Sequence, residues 1–207
     1  MFTGLIENVG EVVRGTDSLV VVKSSLAAEI GTGDSIAVDG ACLTVTGITG
    51  HELSFHASRE TLSRTIAADY TRGTPVNLEL PLEIGDRLHG HMVSGHIDCA
   101  SRVLDISRSR EDRLIRVSIP ENCSGLVVGK GSVALNGISL TVVEAEAKIL
   151  SVVVIPETLS RTTAGSWKPG TRINIEFDIL GKYVARHLRL LKNETRLRAF
   201  LEGNLEH

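Results

Sequence analysis

The densest set of side chains able to do chemistry runs from His89 to Cys99: His89-Gly90-His91, then His96, then Asp98-Cys99. Imidazole and thiolate are the usual zinc ligands, and a His-x-His pair on a strand puts both rings on one face. With His96 and Cys99 completing the set, this is the ligand composition of a metal-dependent hydrolase. The other candidates stand singly. Cys42 follows Asp39-Gly40-Ala41, and Ser139 follows Asn136-Gly137-Ile138. A lone thiol on a strand is ordinarily a small apolar core residue, and Ser139 and Thr141 alone read as ordinary strand residues. Cys99 and Cys123 read as packing and His56 as a rim residue.

A repeat changes how these singletons are read. Glu60-Thr61-Leu62-Ser63-Arg64-Thr65 recurs as Glu157-Thr158-Leu159-Ser160-Arg161-Thr162, a separation of 97. The same offset pairs Ser35–Gly40 with Ser132–Gly137, Leu43-Thr44-Val45 with Leu140-Thr141-Val142, and Gly73-Thr74 with Gly170-Thr171. The opening Met1–Glu7 is echoed by Met92–Asp98 at offset 91, so the second copy carries extra residues, expected as a longer loop in the polar run Ser107–Arg113. Two copies are too few for a solenoid, so the chain reads as one small domain written twice, with two similar half-sites. A zinc cluster confined to the second copy leaves that duplication unexplained.

The elements follow from periodicity and turn residues. Met1–Val13 reads as a first strand, Leu19–Val22 as a β-branched strand, and Ser35–Val38 as a strand joined through Asp39-Gly40, a strong hairpin signal, to Cys42–Thr46. Leu53–Ala57 is a further strand. Ser58 is placed to cap a short helix from Glu60 to about Ile66, which also plugs one barrel end, and Val76–Leu80 closes the unit. In the second copy Pro156 suits the first helical position. Short strands with regular turns suggest a closed antiparallel barrel, which leaves no open edge. Domain limits fall at 1–87 and 88–180, with a tail at 181–204.

The tail has no counterpart in the first half. Val184, Leu188, Leu191, Thr195 and then Leu197 or Arg198 follow a 4-3-4 spacing, with Arg186, Arg189, Lys192 and Arg196 elsewhere: a basic amphipathic helix. It packs either on its own barrel or against copies of itself. Leu205-Glu206-His207 reads as the remnant of an expression tag. At 207 residues and net charge −3, with no Lys/Arg-rich segment, nucleic acid is an unsuitable partner. No apolar run approaches a membrane span and no signal peptide opens the chain. Three cysteines without a C-x-x-C pair suit reduced thiols in the cytoplasm. Aromatic residues at 3% argue against a site of stacked rings.

Met1–Glu7, Asp39-Gly40-Ala41-Cys42-Leu43-Thr44-Val45, Gly90-His91-Met92-Val93-Ser94-Gly95-His96-Ile97-Asp98, Asn136-Gly137-Ile138-Ser139-Leu140-Thr141-Val142 and Phe177–Arg186 together closely resemble the riboflavin synthase family over nearly the whole chain. Leu5, Met92 and Ile138 replace a commoner Ile, Phe and Thr. The resemblance implies an all-β fold of two homologous six-stranded antiparallel Greek-key barrels in tandem plus a C-terminal α-helix, a homotrimer joined by that helix, and no cofactor or metal. The reaction it implies joins two molecules of 6,7-dimethyl-8-ribityllumazine, giving riboflavin and 5-amino-6-ribitylaminouracil, at a site between the first barrel of one subunit and the second barrel of a neighbour. It leaves room for an association with lumazine synthase, the enzyme that makes the substrate. Relatives of the same fold that bind lumazine or flavin as optical antennae, without catalysis, are the alternative, but they are expected to lose one half-site's signature.

A reaction between two identical molecules explains the duplication, because holding both at contact distance makes the encounter effectively unimolecular. Carried over from the family by position, the binding residues are Gly4, Leu5, Ile6, Cys42, Leu43, Thr44, Ala57, Ser58 and Thr61 in the first copy. Those in the second are Gly95, His96, Ile97, Lys130, Ser139, Leu140, Thr141, Val154, Ile155, Pro156 and Thr158. Thr61 and Thr158 lie in the first turn of each short helix, where free N–H groups can take ring carbonyls. Equal pockets would not tell donor from acceptor, so the differences between copies carry the direction: Cys42 against Ser139, Leu5 against His96, Pro81 against Asp178. The chemistry needs a base for a ring methyl and a nucleophile or positioned water for the other ring. Cys42, His96, Ser139 and Asp178 are the catalytic candidates, with Asp178, on a neighbouring barrel, expected to steer the histidine or to polarise a hydroxyl, and base and nucleophile left open.

Overall fold

The computed structural model describes residues 1–203, with side chains described except at 109 and 192–203. Thr195, Leu197 and Arg198 of the tail pattern, with Lys192 and Arg196, therefore fall outside the described side chains, and residues 204–207, including Leu205-Glu206-His207, lie outside the described residues.

The first copy forms β1 (Asn8–Gly15), β2 (Leu19–Lys23), β3 (Ser35–Val38), β4 (Ala41–Thr49), β5 (Glu52–His56), α1 (Arg59–Arg64) and β6 (Pro75–Glu79). The second forms β7 (Cys99–Ser109), β8 (Asp112–Ser118), β9 (Ser132–Leu135), β10 (Ile138–Ala145), β11 (Ile149–Val154), α2 (Pro156–Arg161) and β12 (Arg172–Phe177), followed by α3 (Ile179–Gly203). Each copy closes into an antiparallel six-stranded barrel, in the order β1-β2-β5-β4-β3-β6 and the matching order of the second copy. β3 turns into β4, and β9 into β10, through two residues with positive φ, Asp39 (44°) and Gly40 (80°), Asn136 (45°) and Gly137 (78°). Such tight turns match the twist of the flanking strands, and Asp-Gly and Asn-Gly tolerate them. Alternation along the strands sends Val12, Val20, Val22, Ile36, Val38, Leu43, Val45, Leu53, Phe55, Val76 and Leu78 into the first core. The second core is built alike around Leu135, Leu140, Val142, Leu150, Ile173, Ile175 and Phe177.

Four expectations need correction. The chain before β1 is not strand: Met1–Glu7 is an arm whose β-type pairing is limited to an isolated bridge between Phe2 and Val93. The additional residues of the second copy do not form a loop but lengthen the β7–β8 hairpin, which turns tightly at Arg110-Glu111. α1 ends at Arg64, short of Ile66, and the barrel ends are closed mainly by the 3-10 turns that follow the helices, through Ile66, Ala67 and Tyr70 and through Ala164 and Trp167, with Leu62 and Leu159 of the helices packed partly buried beside them. His89 and His91 lie in the irregular connection between β6 and β7, not on a strand.

The barrels are joined by reciprocal hydrogen bonds. Asn77 Nδ2 donates to Asn136 O (2.9 Å) while its Oδ1 accepts from Thr163 N (2.8 Å); Asn174 Nδ2 donates to Asp39 O (2.8 Å) while its Oδ1 accepts from Ile66 N (2.8 Å). At the centre, a Cβ on Gly40 would stand 2.6 Å from Gly137 N. Cys42, Cys99 and Cys123 are free thiols. Among the described residues no helix is long and apolar enough to cross a membrane.

Candidate active site

On β4 and β10, residues two and four past the tight turns face outward, because the turn sets the register and the strand alternates. Cys42 is half-buried and Thr44 exposed on one outer wall; Ser139 and Thr141 stand likewise on the other. Leu43 and Leu140 point into the barrel cores, as do Ala57 and Val154, so these four offer a ligand only main-chain atoms.

The arms make the clefts. Residues Gly4-Leu5-Ile6 do not lie on their own barrel's β4. Ser139 N donates to Gly4 O (2.8 Å), on the second barrel, and Cys42 N donates to Gly95 O (2.8 Å), so each arm crosses to the other copy. Glycine is required at both crossings: φ is +81° and +82°, and a Cβ would sit 2.5 Å from that of Ser139 or Cys42. The two half-sites are therefore chimeric. One cleft of about 290 Å³ is walled by Cys42, Thr61, Gly95, His96 and Ile97, with Glu60 and Arg64 at α1. At the other crossing Ser139 meets Gly4, and Ile6 of the same arm packs on the core of the second barrel.

Two details of the helix ends differ from expectation. Thr61 N is not free: it donates to Ser58 Oγ (3.1 Å), whose hydroxyl also meets Thr61 Oγ1 (2.9 Å). At α2, Ile155 gives no side-chain cap, so no hydroxyl competes for Thr158 N there. Ile155 and Pro156 are exposed beside it. Lys130 is exposed and holds φ of 66° where the first copy has Gly33.

The four candidate catalytic groups separate into pairs. Cys42 and His96 share the first cleft. Within the chain, Asp178 lies at the start of α3. Its Oδ1 accepts from Leu180 N (3.0 Å), capping α3, and its charge acts on His91. His91 is the residue that the comparison of the copies missed. Its Nδ1 lies 2.7 Å from Ser139 Oγ, its backbone N donates to Thr3 O (3.1 Å), and its Nε2 is buried with no hydrogen-bond partner among the described residues. Burial pushes its pKa below 6.5, opposed by Asp178, so the ring is held neutral at physiological pH. A neutral imidazole accepting from a hydroxyl is the arrangement of a base, the tautomer being set by which group donates. Offset 91 has no first-copy residue to set against His91, so a comparison of repeats could not find it. Its signals were its place in the His-rich run and in the motif from Gly90 to Asp98. That run is not assembled as a metal site: among the described residues no group of three or more His, Cys, Asp or Glu is placed to hold an ion.

Comparison with known proteins agrees with this geometry. A family model described as the lumazine binding domain matches twice, at residues 3–81 and 94–178. The riboflavin synthase of Mycobacterium tuberculosis is 39% identical over 199 residues, covering 91% of this chain and 98% of that one. The riboflavin synthase of Actinobacillus pleuropneumoniae is 36% identical over 193 residues, covering 91% and 90%. That of Bacillus subtilis is 33% identical over 213 residues, covering 99% of both. Among solved structures, LumP complexed with 6,7-dimethyl-8-(1'-D-ribityl) lumazine superposes with a TM-score of 0.78 at 21% identity, over 85% of this chain and 98% of that one, a likeness of fold. Two matched lumazine-binding domains in one polypeptide, with relatives of this identity along nearly its full length, mean that the chain belongs to the riboflavin synthase family.

Proposed function

We propose that the chain catalyses the riboflavin synthase reaction: two molecules of 6,7-dimethyl-8-ribityllumazine exchange a four-carbon unit, giving riboflavin and 5-amino-6-ribitylaminouracil. The products hold all the atoms of the two substrates, so the exchange needs no external oxidant or reductant. The observation that carries the reading is a cleft frame built twice in one chain, each time with a different reactive side chain, Cys42 in one and Ser139 in the other.

In this reading the ring bound at Ser139 loses a methyl proton to the Ser139–His91 pair. Burial suits His91 to that step, because an imidazole kept neutral is ready to accept a proton at pH 7. The ring bound at Cys42 is the one attacked, with the thiol or a water guided by His96 as nucleophile. Outward-facing Thr44 and Thr141 and the main chain at Leu43, Leu140, Ala57 and Val154 line the rings. Lys130, Ile155, Pro156 and Thr158 border the second half-site, and Ser58 and Thr61 the first. Asp178 keeps its charge near His91 and so favours the protonated ring that forms once the proton has moved.

The two half-sites work together when copies associate. The outer face of α3 exposes Leu180, Tyr183, Val184 and Leu188, and covering it in a homotrimer sets the Cys42 cleft of one subunit against the Ser139 cleft of the next. Sedimentation of the full chain, and of a chain ended before α3, tests this: a trimer that becomes a monomer with loss of activity is expected. The same reading places the enzyme in the cytoplasm; association with lumazine synthase is tested by co-sedimentation of the two proteins.

Steady conversion of the lumazine to a fluorescent flavin is the deciding assay. Tight binding without turnover would replace the enzyme by a non-catalytic optical antenna of the same fold.

A further inference from the structure

The crossing of the arms raises the question of what holds each one in place. Glu79 ends β6 and Glu176 lies near the end of β12, at matching positions of the two barrels; both are buried, with 3% and 1% of their surface exposed. Their carboxylates hold the arms through matching bonds. Glu79 Oε1 accepts from Thr3 N (2.6 Å) and Thr3 Oγ1 (2.7 Å), and Oε2 from Gly4 N (3.0 Å). Glu176 Oε1 accepts from Ser94 N (2.7 Å) and Ser94 Oγ (2.6 Å), and Oε2 from Gly95 N (2.9 Å). Each arm hydroxyl then passes the constraint onward. Thr3 Oγ1 accepts from Leu5 N (3.2 Å), and Ser94 Oγ accepts from His96 N (3.3 Å). Leu5 and His96 are the arm residues that differ between the half-sites.

We infer that Glu79 and Glu176 are positioning residues that act across the barrels. Glu176, in the second barrel, orients His96 against Cys42 in the first. Glu79, in the first barrel, holds Gly4 against Ser139 in the second and orients the Leu5 that follows it. Buried carboxylates that accept three hydrogen bonds each are costly to place unless those bonds are made. The carboxylate is used here because a single group must receive two main-chain N–H groups and a hydroxyl at once. A Gln at either position would turn an amide N–H toward one of those donors. The consequence is that each barrel governs the half-site of the other.

The test reads the two clefts separately and does not depend on turnover. Cys42 is labelled with iodoacetamide in full-length protein and followed by peptide mass mapping, with Cys99 and Cys123 as internal references. A second set carries Ser139→Cys as the reporter of the other cleft. Glu176→Gln is expected to raise labelling at Cys42 about tenfold, the scale set by loss of a buried hydrogen bond, and to leave residue 139 unchanged. Glu79→Gln is expected to do the reverse. Milder variants of the same clamps, Ser94→Ala and Thr3→Val, remove one bond each and should show the same selectivity at smaller amplitude, which settles the matter if a Gln variant fails to fold. Equal effects on both reporters, no effect on either, or an effect confined to the variant's own barrel would overturn the inference. A kinetic arm rests on the proposed reaction: Glu176→Gln should lower kcat for the lumazine more than it raises KM, because His96 is displaced while the Cys42 wall remains. Labelling as expected with unchanged kcat would count against the reaction and not against the clamp.

Discussion

Asp39 turns an asymmetry between the barrels into a measurable pH dependence. Its side chain is 1% exposed. Oδ1 accepts from Asn77 N (2.9 Å) and Oδ2 from Tyr70 OH (2.8 Å). Loss of hydration dominates these bonds and pushes its pKa from 3.8 to about 7. The second copy has Asn136 at this position, its Oδ1 accepting from Asn174 N (2.7 Å), and Trp167 in place of Tyr70. The turn therefore accepts an amide, and Asp39→Asn is the natural perturbation, with Nδ2 able to donate to Tyr70 oxygen. Between pH 4 and 7 the unfolded chain has released this proton and the folded chain still holds it. The folded state binds more protons, so stability from this group falls as pH rises, by roughly 1.4 kcal/mol per unit. It is fully present below pH 4 and gone above about pH 7. Over about three units the loss is of the order of 4 kcal/mol. Urea unfolding of both proteins at pH 5, 6, 7 and 8, followed by far-UV dichroism and by Trp167 fluorescence, cancels the carboxylates they share. The difference should grow in favour of the Asn variant as pH rises and level off by pH 8. Parallel profiles, or a variant less stable than the parent at pH 8, would refute the argument that Asp39 is an acid made costly to ionise by burial.

Three further outcomes follow from the geometry. Asn174→Leu strands Ile66 N and the Asp39 carbonyl, which should cost about 2–5 kcal/mol in urea unfolding. Gly95→Ala places a Cβ 2.5 Å from that of Cys42 at a left-handed φ, so thermal unfolding should show a loss of about 2–5 kcal/mol, and Gly4→Ala should match it against Ser139. His91→Gln should lower kcat by about 10²–10⁴-fold, and the acid limb of the parent's pH profile should lie below pH 6.5, since protonation silences a base whose pKa burial has lowered; a limb above 6.5 that survives in the variant would assign the base elsewhere.

The elements were legible in the sequence because the repeat doubled every local signal. Asp39-Gly40 and Asn136-Gly137 specify the same turn, Ser58 caps α1 as its residue type demands, and Pro156 sits at the start of α2. What the sequence hid was long-range. Met1–Glu7 is apolar enough to read as the start of a strand, but Phe2 buries its ring against Ala37, Val93 and Ala134 between the barrels, and the segment runs as an arm. No local pattern records that Gly4 will meet Ser139 and not Cys42. Thr61 looked open because a helix start has orphan N–H groups; the Ser58 hydroxyl that caps the helix is the group that fills it. Nothing local in the sequence shows that the Asp178 carboxylate caps α3 and that its charge reaches His91 of the same chain.

The exchange of arms also explains how two copies could diverge without losing their fit. If each arm lay on its own barrel, a half-site would be encoded within one repeat, and drift in one copy would alter one pocket alone. Here the Cys42 cleft takes its wall from the first repeat and its His96 arm from the second, so both repeats are bound to both pockets. The short segment 91–96 shows the constraint most sharply. His91 stands against Ser139 and His96 stands beside Cys42, so this stretch serves opposite half-sites from its two ends. Ser94 and Gly95, beside His96, are tied to Glu176, while His91 is held separately by Thr3 O and Ser139. A change of even one residue in the length of this segment would misplace a histidine in one cleft or the other. Point substitutions at 42, 96 and 139, by contrast, alter the chemistry while leaving every main-chain bond of the frame in place. In the proposed reaction, the asymmetry that sends carbon atoms in one direction rests on the differing side chains at these crossings together with His91, which only the second copy has.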